Sequence, residues 1–193
     1  VGYPVTFAVM LVASVLTGTL ASKLKDHARL SARSAFRTQV LFDTDRLLQK
    51  AKSNDDILSV TCMQLSRLLD RSIVAYTKSE NGMSTGRLFA EKKYTYSENL
   101  LNDAEQKAAE WAFQNGRRTG ATTAQFGKSE CLYLAIRAGD RVYGVIGIPM
   151  RPEKPDSFEN SIVLSVVNEC ALAMDNTHNA AEKERAADLA KSE

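Results

Sequence analysis

The residues that could do chemistry in this 193-residue chain are few and lie far apart. The three cysteines are Cys62, Cys131 and Cys170, and none has a partner at CxxC spacing. An odd number of scattered cysteines argues against a disulfide framework or a zinc site and fits a reducing compartment. Two of them fall on apolar helix stripes and one opens an apolar strand, so we predict that all three are small core side chains.

The two histidines do not fit a catalytic or haem-binding role. His27 lies among basic residues, and His178 lies between Thr177 and Asn179. Neither has the His-acid context that is typical of a phosphoacceptor histidine, since Ala28 follows His27 and Asn179 follows His178, and no glycine-rich nucleotide-binding loop is present in the sequence. Both also fall outside the predicted globular part. We therefore expect no catalytic residue, no metal and no resident cofactor.

A few side chains are weak candidates for contacting a small ligand. Trp111 and Tyr133 could line a pocket, although aromatic residues at these spacings more often belong to the core. Arg117 and Arg118 follow the end of a predicted helix, where they either complement its dipole or bind an anion. The formal net charge of +2 gives no reason to expect nucleic acid.

The first twenty-odd residues predict a membrane-spanning helix. No charged side chain occurs from Tyr3 to Ser22, a length of roughly 30 Å as a helix, which matches a bilayer core. A basic cluster follows at once and predicts that the chain then enters the cytoplasm. A signal peptide, a buried core helix and an interfacial helix fit this pattern less well. The cluster consists of Lys23, Lys25, Arg29, Arg33 and Arg37.

The remainder alternates between helical and strand patterns. Residues 24–51 lack glycine and proline, and Ser53 with Asp56 predicts the start of the next helix. Asn102 with Glu105 caps a third helix, which Gly116 ends, and a polar loop is predicted over 117–128. Pro149, Pro152 and Pro155 are predicted to break structure, and Asp156 with Glu159 to cap the last helix. The strongest hairpin signal is 131–137 with 142–148, and other strands are predicted at 72–77 and 87–96. Strands joined by turns, with helices elsewhere, indicate an α+β fold with an antiparallel sheet.

The final helix is too long for the domain that it serves. From residue 157 to 193 it would measure on the order of 55 Å, whereas a domain of this size is roughly 30–40 Å across. Its first part carries apolar residues that face a core, and the part after Asp175 is mostly Ala, Glu, Lys and Asp. We expect the second part to project from the domain and to pair with a second copy of itself.

This layout resembles the KdpD family of potassium-responsive bacterial sensor histidine kinases, over essentially the whole chain. The likeness is carried by residues 3–11 (YPVTFAVML), by Trp111-Ala112-Phe113 with the loop that follows, by 132–134 (LYL), and by 144–147 (GVIG). In that loop Gly116, Gly120 and Thr123 match, while Ala124 stands where the family commonly has an acid; Ala135 stands where it often has proline. The resemblance adds Thr123 to Trp111, Arg118 and Tyr133 as a weak candidate for a pocket.

The resemblance implies a particular organisation. Residues 1–22 would be the last transmembrane helix, 23–35 a juxtamembrane helix, 36–175 a GAF domain with an antiparallel sheet flanked by helices, and 176–193 an exit helix toward a kinase dimerisation domain. The chain would be a signal relay at the bacterial inner membrane, with its globular part cytoplasmic, and would respond to potassium limitation or osmotic stress. We expect it to act as a homodimer through its entry and exit helices, with an unknown small ligand as a further partner.

Two other functions fit the same layout. The chain could be a small-molecule-binding GAF module of a protein with another output, such as a cyclase. It could also be a cysteine-dependent reductase of free methionine sulfoxide, which requires exposed thiols of low pKa near one pocket.

Overall fold

The structure is a computed structural model that describes residues 3–51, 53–79, 82–90, 98–150 and 157–191. The chain divides into two compact units, Val1–Val40 and Leu41–Glu193. The predicted strand over 91–96, Pro152, Pro155 and the predicted cap Asp156 lie outside the described residues.

Helix α1 runs without a break over Tyr3–Leu48. Residues 3–22 of the predicted membrane span and the predicted juxtamembrane helix, 23–35, fall within it. Several large apolar side chains in its first half are exposed, among them Phe7, Met10 and Leu20. Among the described residues, no helix is both long enough and apolar enough to cross a membrane.

The described residues of the second unit form an antiparallel sheet of six strands. They are β1 (Ile73–Ser79), β2 (Gly82–Met83), β3 (Arg87–Phe89), β4 (Thr119–Gly120), β5 (Cys131–Ala138) and β6 (Arg141–Pro149). Their order is β2-β1-β6-β5-β4, with β3 also paired to β1. The predicted hairpin is confirmed as β5 and β6, which pair from Cys131 opposite Pro149 to Ala138 opposite Arg141.

Helices α2 (Asn54–Leu69) and α4 (Ser157–Lys191) pack together and supply the core on one face of the sheet. The predicted cap of α2 is confirmed, because the Asp56 amide donates to Ser53 Oγ at 3.1 Å. The predicted apolar stripes are buried on both helices, since each presents its period-3.6 face to the sheet. They comprise Ile57, Leu58, Thr61, Cys62, Leu65 and Leu69 on α2, and Ile162, Val163, Val166, Val167, Cys170, Ala171 and Met174 on α4.

Helix α3 (Asp103–Asn115) contacts β4, β5 and β6, after a short 3₁₀ helix, Glu98–Leu101. Asn102 caps it, since its Oδ1 accepts from the Glu105 amide at 2.9 Å, and Gly116 ends it with φ of 60°. The two predicted ends of this helix are therefore confirmed. Its buried side chains form the second layer of the core, with Tyr76 and Tyr133.

The structure differs from the sequence prediction in the loop after α3 and at the end of β6, and the short strand β2 was also not predicted. The loop predicted for residues 117–128 contains the short strand β4, which pairs with Leu132 and Tyr133 of β5. Pro149, predicted to break structure, is the last residue of β6 opposite Cys131. A proline at the end of a strand removes no required donor, so it is tolerated there.

Helix α4 is a single helix of 35 residues, roughly 52 Å long at 1.5 Å per residue. Its side chains are exposed throughout from Ala180 to Lys191. The prediction of one unbroken helix whose last part is outside the core is therefore confirmed for the described residues.

Candidate functional site

A buried carboxylate lies between α3 and the sheet. Glu105 is 3% exposed, although its position in a capping motif suggested a surface residue. Its Oε1 accepts from the Glu130 amide at 2.8 Å, and its Oε2 accepts from the Cys131 amide at 3.3 Å and from the Tyr133 hydroxyl at 2.8 Å. A buried acid is tolerated when donors surround it. Glu105 thus joins α3 to the start of β5.

Two tyrosines pack beside this carboxylate. The rings of Tyr76 and Tyr133 lie 6.3 Å apart between centroids, and both side chains are essentially buried. Burial raises the pKa of Tyr76 to about 12 and raises the pKa of Tyr133 well above its ordinary value. The Tyr76 hydroxyl oxygen is buried without a hydrogen-bond partner among the described residues. Both phenols therefore stay neutral at physiological pH.

The glycines of the GVIG strand explain how these rings fit. A Cβ on Gly147 would lie 2.5 Å from Cε1 of Tyr133, and one on Gly144 would lie 2.3 Å from the carbonyl oxygen of Tyr76. Contacts this short are well below van der Waals distance. The motif is therefore required by close packing of β6 against β1 and against the Tyr133 ring.

All three cysteines are buried, as predicted. Burial raises the pKa of Cys131 and of Cys170 to about 12, and raises the pKa of Cys62 well above its ordinary value. A reactive cysteine needs an exposed thiol that ionises easily. The three thiols do not meet that requirement, which argues against the reductase alternative.

The four weak pocket candidates do not form one site. Tyr133 lies in the core against α3, and Trp111 is half-buried on α3. The Thr123 hydroxyl lies 2.7 Å from the carbonyl oxygens of Gly120 and Gln125, so it shapes its own loop. Arg118 instead lines a cavity on the α2 and α4 side of the sheet.

That cavity has a volume of about 90 Å³ and combines polar and aliphatic residues. Arg71, in the turn after α2, pairs with Glu159 of α4 at 2.6 Å and donates to the Pro149 carbonyl at 3.2 Å. Arg71 and Glu159 were not predicted to take part in any site. They are 88 positions apart in sequence, so no local pattern could have paired them.

The hairpin of β5 and β6 is fastened to α4 by a second group of polar side chains, here called the hairpin clasp. The Tyr143 hydroxyl donates to Asp175 Oδ1 at 2.5 Å, and Asn179 Nδ2 donates to Asp175 Oδ2 at 2.9 Å. His178 lies 3.2 Å from Glu182 and packs edge-on against Tyr143. The clasp lies where α4 changes from a buried helix to an exposed one.

The fold of the second unit is similar to that of GAF domains. It superposes on the GAF domain of the Escherichia coli potassium sensor histidine kinase KdpD with a TM-score of 0.57 and 18% identity, over 76% of this chain and 98% of that one. A GAF domain from an Acinetobacter phosphoenolpyruvate-protein phosphotransferase gives a TM-score of 0.53 with 13% identity, over 75% of this chain and 95% of that one. The predicted GAF-type α+β fold is confirmed.

The sequence is similar to the sensor protein KdpD of Clostridium acetobutylicum, with 29% identity over 189 residues. It is also similar to the sensor protein KdpD of Escherichia coli K12, with 23% identity over 146 residues. These matches cover 95% and 76% of this chain but only 20% and 15% of the relatives. No family model matches the chain. The resemblance to the GAF region of KdpD sensor proteins is thereby confirmed.

Proposed function

We propose that this chain is the sensory GAF region of a membrane-bound two-component sensor histidine kinase, and that it relays a signal of potassium limitation or osmotic stress to a kinase core. The observation that carries the proposal is the match of 95% of the chain to one continuous segment of a KdpD sensor protein. The chain spans about a fifth of that relative, so the catalytic parts of such a kinase would lie outside residues 1–193.

The packing of α4 supports a relay role. The first half of this helix contributes buried residues from Ile162 to Met174 to the core, and its last third is exposed from Ala180 to Lys191. A rearrangement of the sheet would therefore act on the helix directly. The hairpin clasp adds a polar connection at the point where the helix leaves the core. A continuous helix transmits rotation or translation along its length, because its turns are linked by hydrogen bonds.

Membrane attachment and dimerisation are parts of the same proposal. In it, residues 3–22 form the membrane span and the basic cluster lies on the cytoplasmic side. The exposed apolar side chains of α1 support this reading, because such surface is rarely left in water. Substituting Leu11→Asp in the whole chain should release it from membranes during an alkaline wash. If the variant and the unsubstituted chain both stay in the membrane fraction, or if the unsubstituted chain is released, residues 3–22 do not form a membrane span.

The exposed last part of α4, residues 180–191, should pair with the same segment of a second copy, because a single helix of this composition is marginally stable alone. Leu189 is 70% exposed there. The three native thiols are buried, so an Ala187→Cys variant presents a single exposed thiol. Efficient disulfide formation between two copies is expected. A chain that stays monomeric and uncrosslinked would count against the dimer.

The relay is tested by placing this chain in the aligned position of the Clostridium acetobutylicum KdpD sensor protein. Autophosphorylation with ATP is then compared at low and high potassium in membrane vesicles. Two deletions in the exposed part of α4 follow. Removing residues 187–188 rotates the part of the chain after the deletion by about 200° relative to the part before it. Removing residues 184–190 takes out almost two whole turns, so the same rotation is only about 20°.

A relay predicts regulated phosphorylation in the chimera and in the seven-residue deletion, and a kinase fixed on or off in the two-residue deletion. If the two-residue deletion keeps full regulation, helical phase does not matter and the relay is refuted. The seven-residue deletion is the matched control, since it shortens the helix more but preserves its phase.

A further inference from the structure

We propose that the cavity between Arg71, Arg118 and α4 is a binding site for a small aliphatic carboxylate. It lies on the α2 and α4 face of the sheet, opposite the tyrosine core. The inference does not depend on the kinase relay, since it concerns only what this unit binds.

The charged groups at the cavity favour an anion. Two guanidinium groups, Arg71 and Arg118, face one carboxylate, Glu159, so the three side chains carry one net positive charge. The Arg71 side chain is 11% exposed, and its Nε is buried without a hydrogen-bond partner among the described residues. The structure gives Arg118 no ion pair with any described residue. A guanidinium with free donors matches the two oxygens of a carboxylate.

Six aliphatic side chains also line the cavity and would contact an alkyl group. A bare inorganic anion would place charge against these side chains, whereas an aliphatic acid offers them an alkyl group and offers the arginines a carboxylate. These side chains come from β5, β6, the residue after β6, and α4, and they are Leu132, Leu134, Ile148, Met150, Val163 and Leu164.

The size of the cavity limits the ligand. A volume of about 90 Å³ equals roughly three water volumes, or space for about four to six non-hydrogen atoms. Thr122 and Asn160, which also line it, offer further polar groups. A short acid such as propionate fits these limits. A nucleotide or a tetrapyrrole is far too large.

The site would act directly on α4. Glu159, Asn160 and Val163 belong to this helix, and the Arg71–Glu159 ion pair already joins α4 to the turn after α2. An incoming carboxylate would compete with Glu159 for Arg71. Ligand binding would therefore change the contacts at the start of α4.

The test uses the whole 193-residue chain in detergent micelles with methyl-labelled Ile and Leu. Propionate is titrated, with neutral propionamide and inorganic phosphate as separate probes, and the methyl resonances of Leu134 and Ile148 are followed. Saturable shifts with a Kd on the order of 1 mM are expected for propionate, since so small a ligand makes few contacts. Propionamide and phosphate should each bind at least tenfold more weakly.

Arg118→Gln is the main variant, and Arg117→Gln is its matched control, because both arginines are exposed but only Arg118 lines the cavity. Loss of one charged partner should weaken propionate binding about tenfold or more in R118Q and leave R117Q unchanged. Equal effects in both variants would mean attraction by general charge and would overturn the site. No saturable shift up to 50 mM, a range of roughly fifty times the expected Kd, would overturn it too. Phosphate or propionamide binding as tightly as propionate would overturn the assigned ligand class.

Discussion

Glu105 gives the sharpest test of how the core of this GAF domain is held together. Replacing it by glutamine keeps the shape of the side chain but removes its charge and one acceptor oxygen. Three donors converge on the carboxylate: the amides of Glu130 and Cys131 and the hydroxyl of Tyr133. In either orientation of the new amide, its own N–H₂ group would face at least one backbone N–H.

The expected cost follows from these contacts. A buried donor left without an acceptor costs about 1–3 kcal/mol, and bonds to a charged acceptor are worth about 1.5–3 kcal/mol each. We expect Glu105→Gln to lower the free energy of unfolding by about 2–4 kcal/mol. Tyr133→Phe removes one of the three bonds. Its effect should be smaller in the Glu105→Gln background by about 0.5–2 kcal/mol, because the two residues share that bond.

The assay is urea unfolding of the whole chain followed by circular dichroism, with linear extrapolation to water. Glu110→Gln is the matched control, since Glu110 is exposed on the same helix and its change should stay within about 0.5 kcal/mol. The reasoning fails if Glu105→Gln destabilises no more than Glu110→Gln. It also fails if the effects of Glu105→Gln and Tyr133→Phe add without coupling.

Four further predictions concern other contacts in the domain. Gly147→Ala should lower stability by about 1–3 kcal/mol or more, because its Cβ would overlap the Tyr133 ring; an unchanged urea midpoint would contradict this. The three buried thiols should react with Ellman's reagent at pH 8 only as fast as the protein unfolds, and rapid labelling in native buffer would show that they are accessible. Burial raises the pKa of Cys131 from 9.0 to about 12. The free energy of unfolding should therefore fall as pH rises above about 9, because the thiol ionises there in the unfolded chain but not in the folded one. A free energy of unfolding that stays constant from pH 8 to 10.5 would contradict this. Tyr143→Phe removes the hydroxyl that donates to Asp175 and should cost about 0.5–1 kcal/mol at this partly exposed site. Amide exchange in α4 should become faster around Asp175, and unchanged exchange there would contradict this.

Local patterns were sufficient to predict most elements of the GAF domain. The cap residues Ser53 and Asn102 and the terminal Gly116 act within a turn of their own helix, so their types alone indicate where it begins or ends. The β5–β6 hairpin is likewise encoded by alternating side chains around a short turn. Strand β4 was missed because two residues carry no readable alternation, and their pairing to β5 is decided by the sheet.

The role of Glu105 was hidden in a pattern that had two readings. An acidic residue three positions after Asn102 suggests a capping box. The same residue also lies at i, i+3, i+4 and i+7 spacing with Ala108, Ala109 and Ala112, which is the buried face of α3. That spacing was the available signal for an inward carboxylate. The Glu105 carboxylate is a buried acceptor because the amides of Glu130 and Cys131 and the hydroxyl of Tyr133 all donate to it.

The sequence by itself determined the helices, the hairpin, the burial of the cysteines and the long final helix, because each depends on residues close together in the chain or on hydrophobicity alone. Tertiary structure alone decided where the polar side chains meet. Arg71 reaches Glu159 across 88 positions, and Arg118 reaches the same cavity from the β4 edge of the sheet. These long-range contacts depend on how the helices pack on the sheet, and the local spacing of these residues does not specify that packing.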